Sequence, residues 1–249
     1  MSLGTVVVTG ASRGIGAATA LEAAKRGYHV CVNYTANEEA AEQVVAKIRE
    51  NGGMAIAFQA DVSREDEVSR MFDRCEQELG PITGLVNCAG IMSANMRLES
   101  MEFARLERVF RINVLGSILC AKEAVRRMSR TNGGHGGSIV NLSSVASVHG
   151  APGENVDYAA SKGAIDSFTK GLAKEVASDG IRVNCVRPGL TDTDLHASTG
   201  DPERIVTLAP TVPINRVAEP NEIAEAILWF LSEQSSYCVG AILDVSGGR

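Results

Sequence analysis

Seven short runs rich in Val and Ile alternate with longer runs of helical pattern, and this alternation limits the fold more than any other feature of the sequence. The short runs are TVVVTG, YHVCVNY, MAIAFQAD, ITGLVNCAG, GSIVNLSS, IRVNCVRPG and GAILDVSGG. They are almost continuously apolar, as expected of strands covered on both faces. Between them lie IGAATALEAAKRG, NEEAAEQVVAKIRENGG, REDEVSRMFDRCEQELGP, residues 101–128, residues 158–177 and NEIAEAILWFLSE. The pattern predicts an α/β fold: one doubly wound (Rossmann) domain over residues 1–249, with a seven-stranded parallel sheet, right-handed crossovers and helices on both faces. Local punctuation agrees. Asn37 reads as an N-cap followed by the acidic Glu38 and Glu39, and Ser63 with Asp66 reads the same way. Gly27, Gly52 and Gly80 stand where helices should stop, with Pro81 beyond the last.

Composition removes several classes of function. A net charge of −6 and only 4% aromatic residues argue against nucleic acid as a partner, which needs a basic field and stacking platforms. The six cysteines show no C-x-x-C spacing and the four histidines no ligand spacing, so no metal is expected and the thiols read as buried apolar groups. No apolar run is long enough to span a membrane. The first strand begins at once, leaving no space for a signal peptide, so a cytoplasmic protein is expected.

The first strand runs into TGASRGIG and then directly into a helix. Gly10, Gly14 and Gly16 suit a tight turn that a pyrophosphate can approach, and the helix N-terminus offers it free N–H groups. Ser12 and Ile15 belong to the same loop. This context predicts dinucleotide binding. Strand two ends in Asn33, Tyr34 and Thr35 with no acid for an NAD ribose, while Arg13 stands in the loop where a guanidinium would meet a 2′-phosphate. NADP is the expected cofactor, with NAD as the alternative. Further along, Tyr158 and Lys162 lie four apart in a helical run, so they share a face.

Six motifs in order resemble the short-chain dehydrogenase/reductase family over essentially the whole chain. TGASRGIG matches its T-G-x-x-x-G-x-G loop, and NCAG matches N-N-A-G with Cys88 in place of the second Asn. RINVLG carries Asn113 at the family's helix asparagine, and NLSS ends with Ser144 at the serine position. YAASK supplies Tyr158 and Lys162, and PGLTDT matches P-G-x-x-x-T. The Ser144–Tyr158 spacing is one residue longer than is common in the family's oxoacyl reductases.

The resemblance implies an oxidoreductase moving a hydride between nicotinamide and a carbonyl or secondary alcohol. Tyr158 would be the acid/base, Ser144 would orient the substrate oxygen, and Asn113 would kink its helix and hold a relay water. Strand alternation lets only one of Ser143 and Ser144 reach the site. Lys162 would also bind the nicotinamide ribose. Asp61 and Val62 would bracket the adenine, Asn87, Ala89 and Gly90 would line the cofactor cleft, and Pro188, Gly189, Thr191 and Thr193 would hold the carboxamide. An ammonium about 4 Å from the phenol would lower its pKa by about 3 units at an effective dielectric of ~20. Residues 190–220, including His196 and Arg204, would form a polar substrate lid. Substrates of the oxoacyl thioester and glucose type lead, as an NAD(P)-using sugar 1-dehydrogenase in the second case; a non-catalytic dinucleotide sensor is the rival from another class. Family members pair through helices corresponding to residues 101–128 and 158–177 and through the last helix and strand, which implies a homotetramer. SFTK, from Ser167 to Lys170, fits an S-x-x-K pattern but falls on the far side of its helix from Tyr158.

Overall fold

In a computed structural model of the chain, which describes residues 2–195, 199–201 and 203–249, the first strand (β1, Thr5–Val8) is wholly buried. Its side chains divide between two layers: Val6 and Val8 join one apolar cluster and Val7 the other. The remaining strands are β2 (His29–Tyr34), β3 (Ala55–Gln59), β4 (Ile82–Asn87), β5 (Gly137–Leu142), β6 (Ile181–Pro188) and β7 (Ile242–Val245). All neighbours pair in parallel, in the order β3-β2-β1-β4-β5-β6-β7. This is the seven-stranded parallel sheet that the sequence predicts.

Three helices cover one face: α1 (Gly14–Lys25), α2 (Glu38–Glu50) and α9 (Pro220–Leu231). The other face is covered by α3 (Glu65–Leu79), α5 (Ser117–Met128) and α7 (Val156–Val176). Shorter helices are α4 (Phe103–Phe110), α6 (Ala146–His149) and α8 (Arg204–Leu208). Winding runs outward from β1 in one direction and from β4 in the other. Between their carboxyl ends lies the crevice where ligands of such sheets bind.

The run 101–128 is helical from Phe103 and carries the kink expected at Asn113, a wide π-type turn at Arg111–Gly116. Gly116 sits where a Cβ would come within 2.6 Å of Val62, and the wide turn brings Asn113 to the crevice floor. Ser63 does not cap α3. The N-cap is Arg64, because the Asp61 carboxylate takes both the Ser63 amide (2.9 Å) and its hydroxyl (2.8 Å). Asn37 does cap α2, accepting from the Ala40 amide at 3.0 Å.

Candidate active site

A cleft of about 370 Å³ opens at the carboxyl ends of the strands, beside the β1/β4 reversal. Gly10, Arg13, Gly14, Ile15 and Gly16 line one wall. Gly10 has φ +62°, and a Cβ there would lie 2.9 Å from the Ala89 Cα; at Gly16 a Cβ would lie 2.4 Å from the Gly10 carbonyl oxygen. Neither place has room for a side chain. The α1 N-terminus is bare. Its N-cap, Arg13, makes no side-chain cap, and the first turn holds no acid. By contrast α2 begins with Glu38 and Glu39, and α3 with Glu65, Asp66 and Glu67. Free amides and an unneutralised helix dipole in a glycine cradle fit a dinucleotide pyrophosphate.

The opposite wall carries Ser144, Tyr158 and Lys162. Ser143 turns inward and donates its hydroxyl to the Lys162 carbonyl (2.9 Å), leaving Ser144 as the serine beside the phenol. Burial pushes the Tyr158 phenol up to about 12, a hydrogen bond with the Ser144 side chain opposing the rise. Lys162 does not bring it down. Its ammonium lies 5.6 Å from the centre of the Tyr158 ring and donates to the Leu142 carbonyl at 2.8 Å. Burial also holds the Lys162 pKa below the usual lysine range. In the protein by itself desolvation outweighs the lowering expected from its neighbour, whose charge is engaged elsewhere.

Pro188, Gly189, Thr191 and Thr193 complete the rim together with Gly90. The other sequence-predicted residues stand around the cleft without lining it. Asn33 is buried; its Oδ1 accepts from the Gly10 amide (3.2 Å) and its Nδ2 donates to the Ala60 carbonyl (3.0 Å). Asn87 donates to the Ser117 carbonyl (3.0 Å) and to Asn141 Oδ1 (2.9 Å). Both side chains brace the framework and leave only backbone for a ligand. Tyr34 is buried in the layer with α2. Ser12, Thr35, Asp61, Val62 and Ala89 lie at the carboxyl ends of β1 to β4; the Ala89 amide is tied to Thr9 Oγ1 at 3.0 Å.

Asn113 is fully buried, and its amide is spent on protein. Oδ1 accepts from the Ile91 amide (2.8 Å), while Nδ2 donates to the Ile91 carbonyl (3.0 Å) and to Ser161 Oγ (3.1 Å). It joins the crevice floor to α7. Ser167 and Lys170 are exposed, outside the cleft. His196 lies outside the described residues.

Sequence reading missed a polar frame behind Tyr158. Arg105 donates Nε and Nη2 to the two oxygens of Asp157 (2.8 and 3.1 Å), Nη2 also to Asn155 Oδ1 (3.0 Å), and Nη1 to the Ala94 carbonyl (2.6 Å). The Asp157 side chain is 1% exposed. The turn before it contains Ala151 at φ +45°, a strained conformation for a residue with a Cβ. Its carbonyl accepts from the amides of Glu154 and Asn155. The one signal in the sequence was the extra residue of that loop.

Among the described residues, no group of His, Cys, Asp and Glu could hold a metal, and no helix is long and apolar enough to cross a membrane. The thiol of Cys88, in the cleft lining, is pushed up to about 12 by burial, so it is not a poised nucleophile.

A dinucleotide cradle on a doubly wound sheet, facing a Ser, Tyr and Lys set, defines an oxidoreductase of nicotinamide type. The chain belongs to the short-chain dehydrogenase/reductase family of NAD(P)-dependent enzymes. A family model described as enoyl-(acyl carrier protein) reductase matches residues 10–249. The chain is 51% identical to the "uncharacterized oxidoreductase YgfF" of Escherichia coli, over 98% of each chain. It is 40% identical to cis-4-hydroxycyclohexanecarboxylate dehydrogenase of Sinomonas cyclohexanicum, over 97% of this chain and 94% of that one. A solved dehydrogenase/reductase from Sinorhizobium meliloti superposes with a TM-score of 0.91 at 31% identity, covering 100% of this chain and 95% of the other.

Proposed function

We propose that this protein, acting as a single domain, is an NADP(H)-dependent reductase of small carbonyl compounds, with Tyr158 as the proton donor. The observation that carries the reading is the buried Tyr158 phenol, set beside Ser144 across from the bare α1 N-terminus. When bound, the nicotinamide supplies the hydride. Ser144 holds the substrate oxygen, and Tyr158 gives that oxygen its proton as the carbonyl becomes an alcohol. With an ionisation near 12, the phenol is protonated at neutral pH, which suits reduction. Lys162 steadies the Leu142 carbonyl and the phenol ring, and offers its remaining N–H groups to a ribose.

NADP over NAD is supported by what each wall offers. Arg13 and Asp194 approach to 3.7 Å with both side chains about two-thirds exposed, a contact weak enough to yield to a 2′-phosphate. At the end of β2 stand Asn33, Tyr34 and Thr35, with no acid to meet a ribose, and the Asn33 side chain is engaged with Gly10. The β6–α9 connection acts as the lid.

A homotetramer is supported by two exposed apolar surfaces. One is Phe103, Phe110 and Leu115 around α4; the other is Trp229, Tyr237, Val239 and Leu243 near the edge strand β7. Light scattering at micromolar concentration should give four times the chain mass, and a monomer mass overturns it.

The deciding experiment is a screen of oxoacyl thioesters, aldoses and cyclic oxo acids with NADPH and with NADH, read by absorbance. Turnover of a carbonyl with NADPH favoured supports the reading. Cofactor binding without turnover of any of these classes points instead to the sensor.

A further inference from the structure

Beside the cleft, three segments that share no strand or helix are tied together. The Asn95 amide donates to the Thr199 carbonyl (3.0 Å), the Met96 amide to the Glu154 carbonyl (2.8 Å), and Arg204 Nη2 to Glu154 Oε2 (2.6 Å). Arg204 and Glu154 both line the cleft, with side chains 12% and 39% exposed.

A guanidinium has a side-on edge, Nε–H beside Nη2–H, that matches the two oxygens of a carboxylate. Two other guanidiniums with mostly buried side chains fill that edge. Arg105 gives both donors to Asp157, and Arg187 gives both to Asp166 Oδ2 at 3.1 and 2.8 Å. At Arg204 the edge is half used. Nη2 is bonded to Glu154, while Nε is buried and, among the described residues, has no acceptor. A buried donor on a charged group without an acceptor is costly, so the Arg204–Glu154 contact is an incomplete pair.

We propose that Arg204 anchors a carboxylate on the substrate, and that Glu154 occupies part of the anchoring edge until the substrate displaces it. The inference rests on the carbonyl-reduction reading of the cleft and adds the class of substrate: a small oxo acid. Glu154 is four residues before Tyr158, so their Cα atoms are at most about 14 Å apart. The acid and the reacting carbonyl therefore belong to one compact molecule. Met92, Val145, Pro152 and Leu208 line the same cleft and suit a hydrocarbon body between the two groups. The Nε–H is closed to solvent, so the incoming acid reaches it as Glu154 swings outward, where its partly exposed side chain has room.

This arrangement gives two neighbouring residues opposite effects on acid binding. Calorimetric titration of the full chain, with saturating NADP and again without it, uses benzoate and its neutral isostere benzamide. Wild type should bind benzoate at least about tenfold tighter, the scale of a charge-assisted pair. Arg204→Gln should reduce benzoate to the level of benzamide. Glu154→Gln should tighten benzoate, and neither change should alter benzamide more than about twofold. Benzoate bound no better than benzamide by wild type, both undetectable included, overturns the proposal. So does a Glu154→Gln variant that loses benzoate as Arg204→Gln does, because the pair would then only hold the wall. Neither reading depends on turnover, so a failure of hydride transfer in the carbonyl screen is separable from a failure of this anchor.

Discussion

The loop at residues 10–16 and the wall made by β5 and α7 face the same space with opposite means. The loop offers backbone amides and has no place for side chains at Gly10 and Gly16. The other wall offers side chains, Ser144 and Tyr158 with Lys162, and holds them with a buried frame of Arg105, Asp157 and Asn155. A site made of backbone holds its ligand through geometry that few substitutions improve. A site made of side chains depends on each hydroxyl and on the charges buried behind it. The two walls should therefore fail differently.

The largest separation is expected from Tyr158→Phe. The ring and its packing stay, while the proton is lost, so kcat should fall about 10²–10⁴-fold. NADP affinity should remain within about twofold. Retention of more than about a tenth of wild-type kcat would remove Tyr158 from the chemistry.

Arg105→Leu tests the frame behind that wall. It leaves the Asp157 carboxylate buried without its cation, which costs about 3–5 kcal/mol. For a chain of this size the melting temperature should drop by roughly 6–20 °C. An unchanged melting temperature would show that the frame contributes nothing.

On the glycine wall, Arg13→Ala should weaken NADP about 10–150-fold, corresponding to about 1.5–3 kcal/mol for a charge-assisted bond. NAD affinity should stay within a few-fold. Equal losses for both cofactors would make Arg13 a support of the loop instead of a reader of the phosphate.

The smallest effect is a pH profile that stays flat. With the phenol at about 12, Tyr158 remains protonated from pH 6 to 9, so reductive kcat/KM should vary less than about twofold from this group. Alcohol oxidation needs the phenolate, whose fraction below the pKa grows tenfold per pH unit, so oxidation should climb with pH. A reductive profile that falls near pH 7 would restore the expectation that Lys162 lowers the phenol. Stability follows the same sign: above pH 10 the unfolded phenol loses its proton before the native one does, so this group destabilises the fold from pH 10 to about 12. Lys162, shifted down, acts in the opposite sense below its unfolded value, where raising pH relieves the cost of its buried charge.

What the sequence revealed of these walls follows from range of interaction. Strands covered on both faces must be continuously apolar, so the sheet was legible, as were the Asn37 cap and the stops at Gly27, Gly52 and Gly80, each at positive φ. Arg105 was not legible, because its partners Ala94, Asn155 and Asp157 are brought to it only by folding. Arg204 and Glu154 are hidden for the same reason, 50 residues apart. Asn33 and Asn87 show the converse. A polar residue at the end of a strand looks like a ligand contact, but their amides turn to backbone and to Asn141. Ser63 looked like a helix cap until Asp61 took its hydroxyl.

The Asn113 carboxamide, which gives one acceptor and one donor to the Ile91 amide and carbonyl, imitates a peptide unit of a neighbouring strand. A side chain on a helix thus pairs with the chain leaving β4 as though the sheet continued there. Aspartate lacks the donor and leucine lacks both groups, so neither can copy the pairing. The wide turn at Arg111–Gly116 and the floor of the crevice are consequently one mechanical piece. The exposed Phe110 and Leu115 flank Asn113 on that same turn of chain. The outer surface at those residues and the chain leaving β4 are thus separated by a single carboxamide.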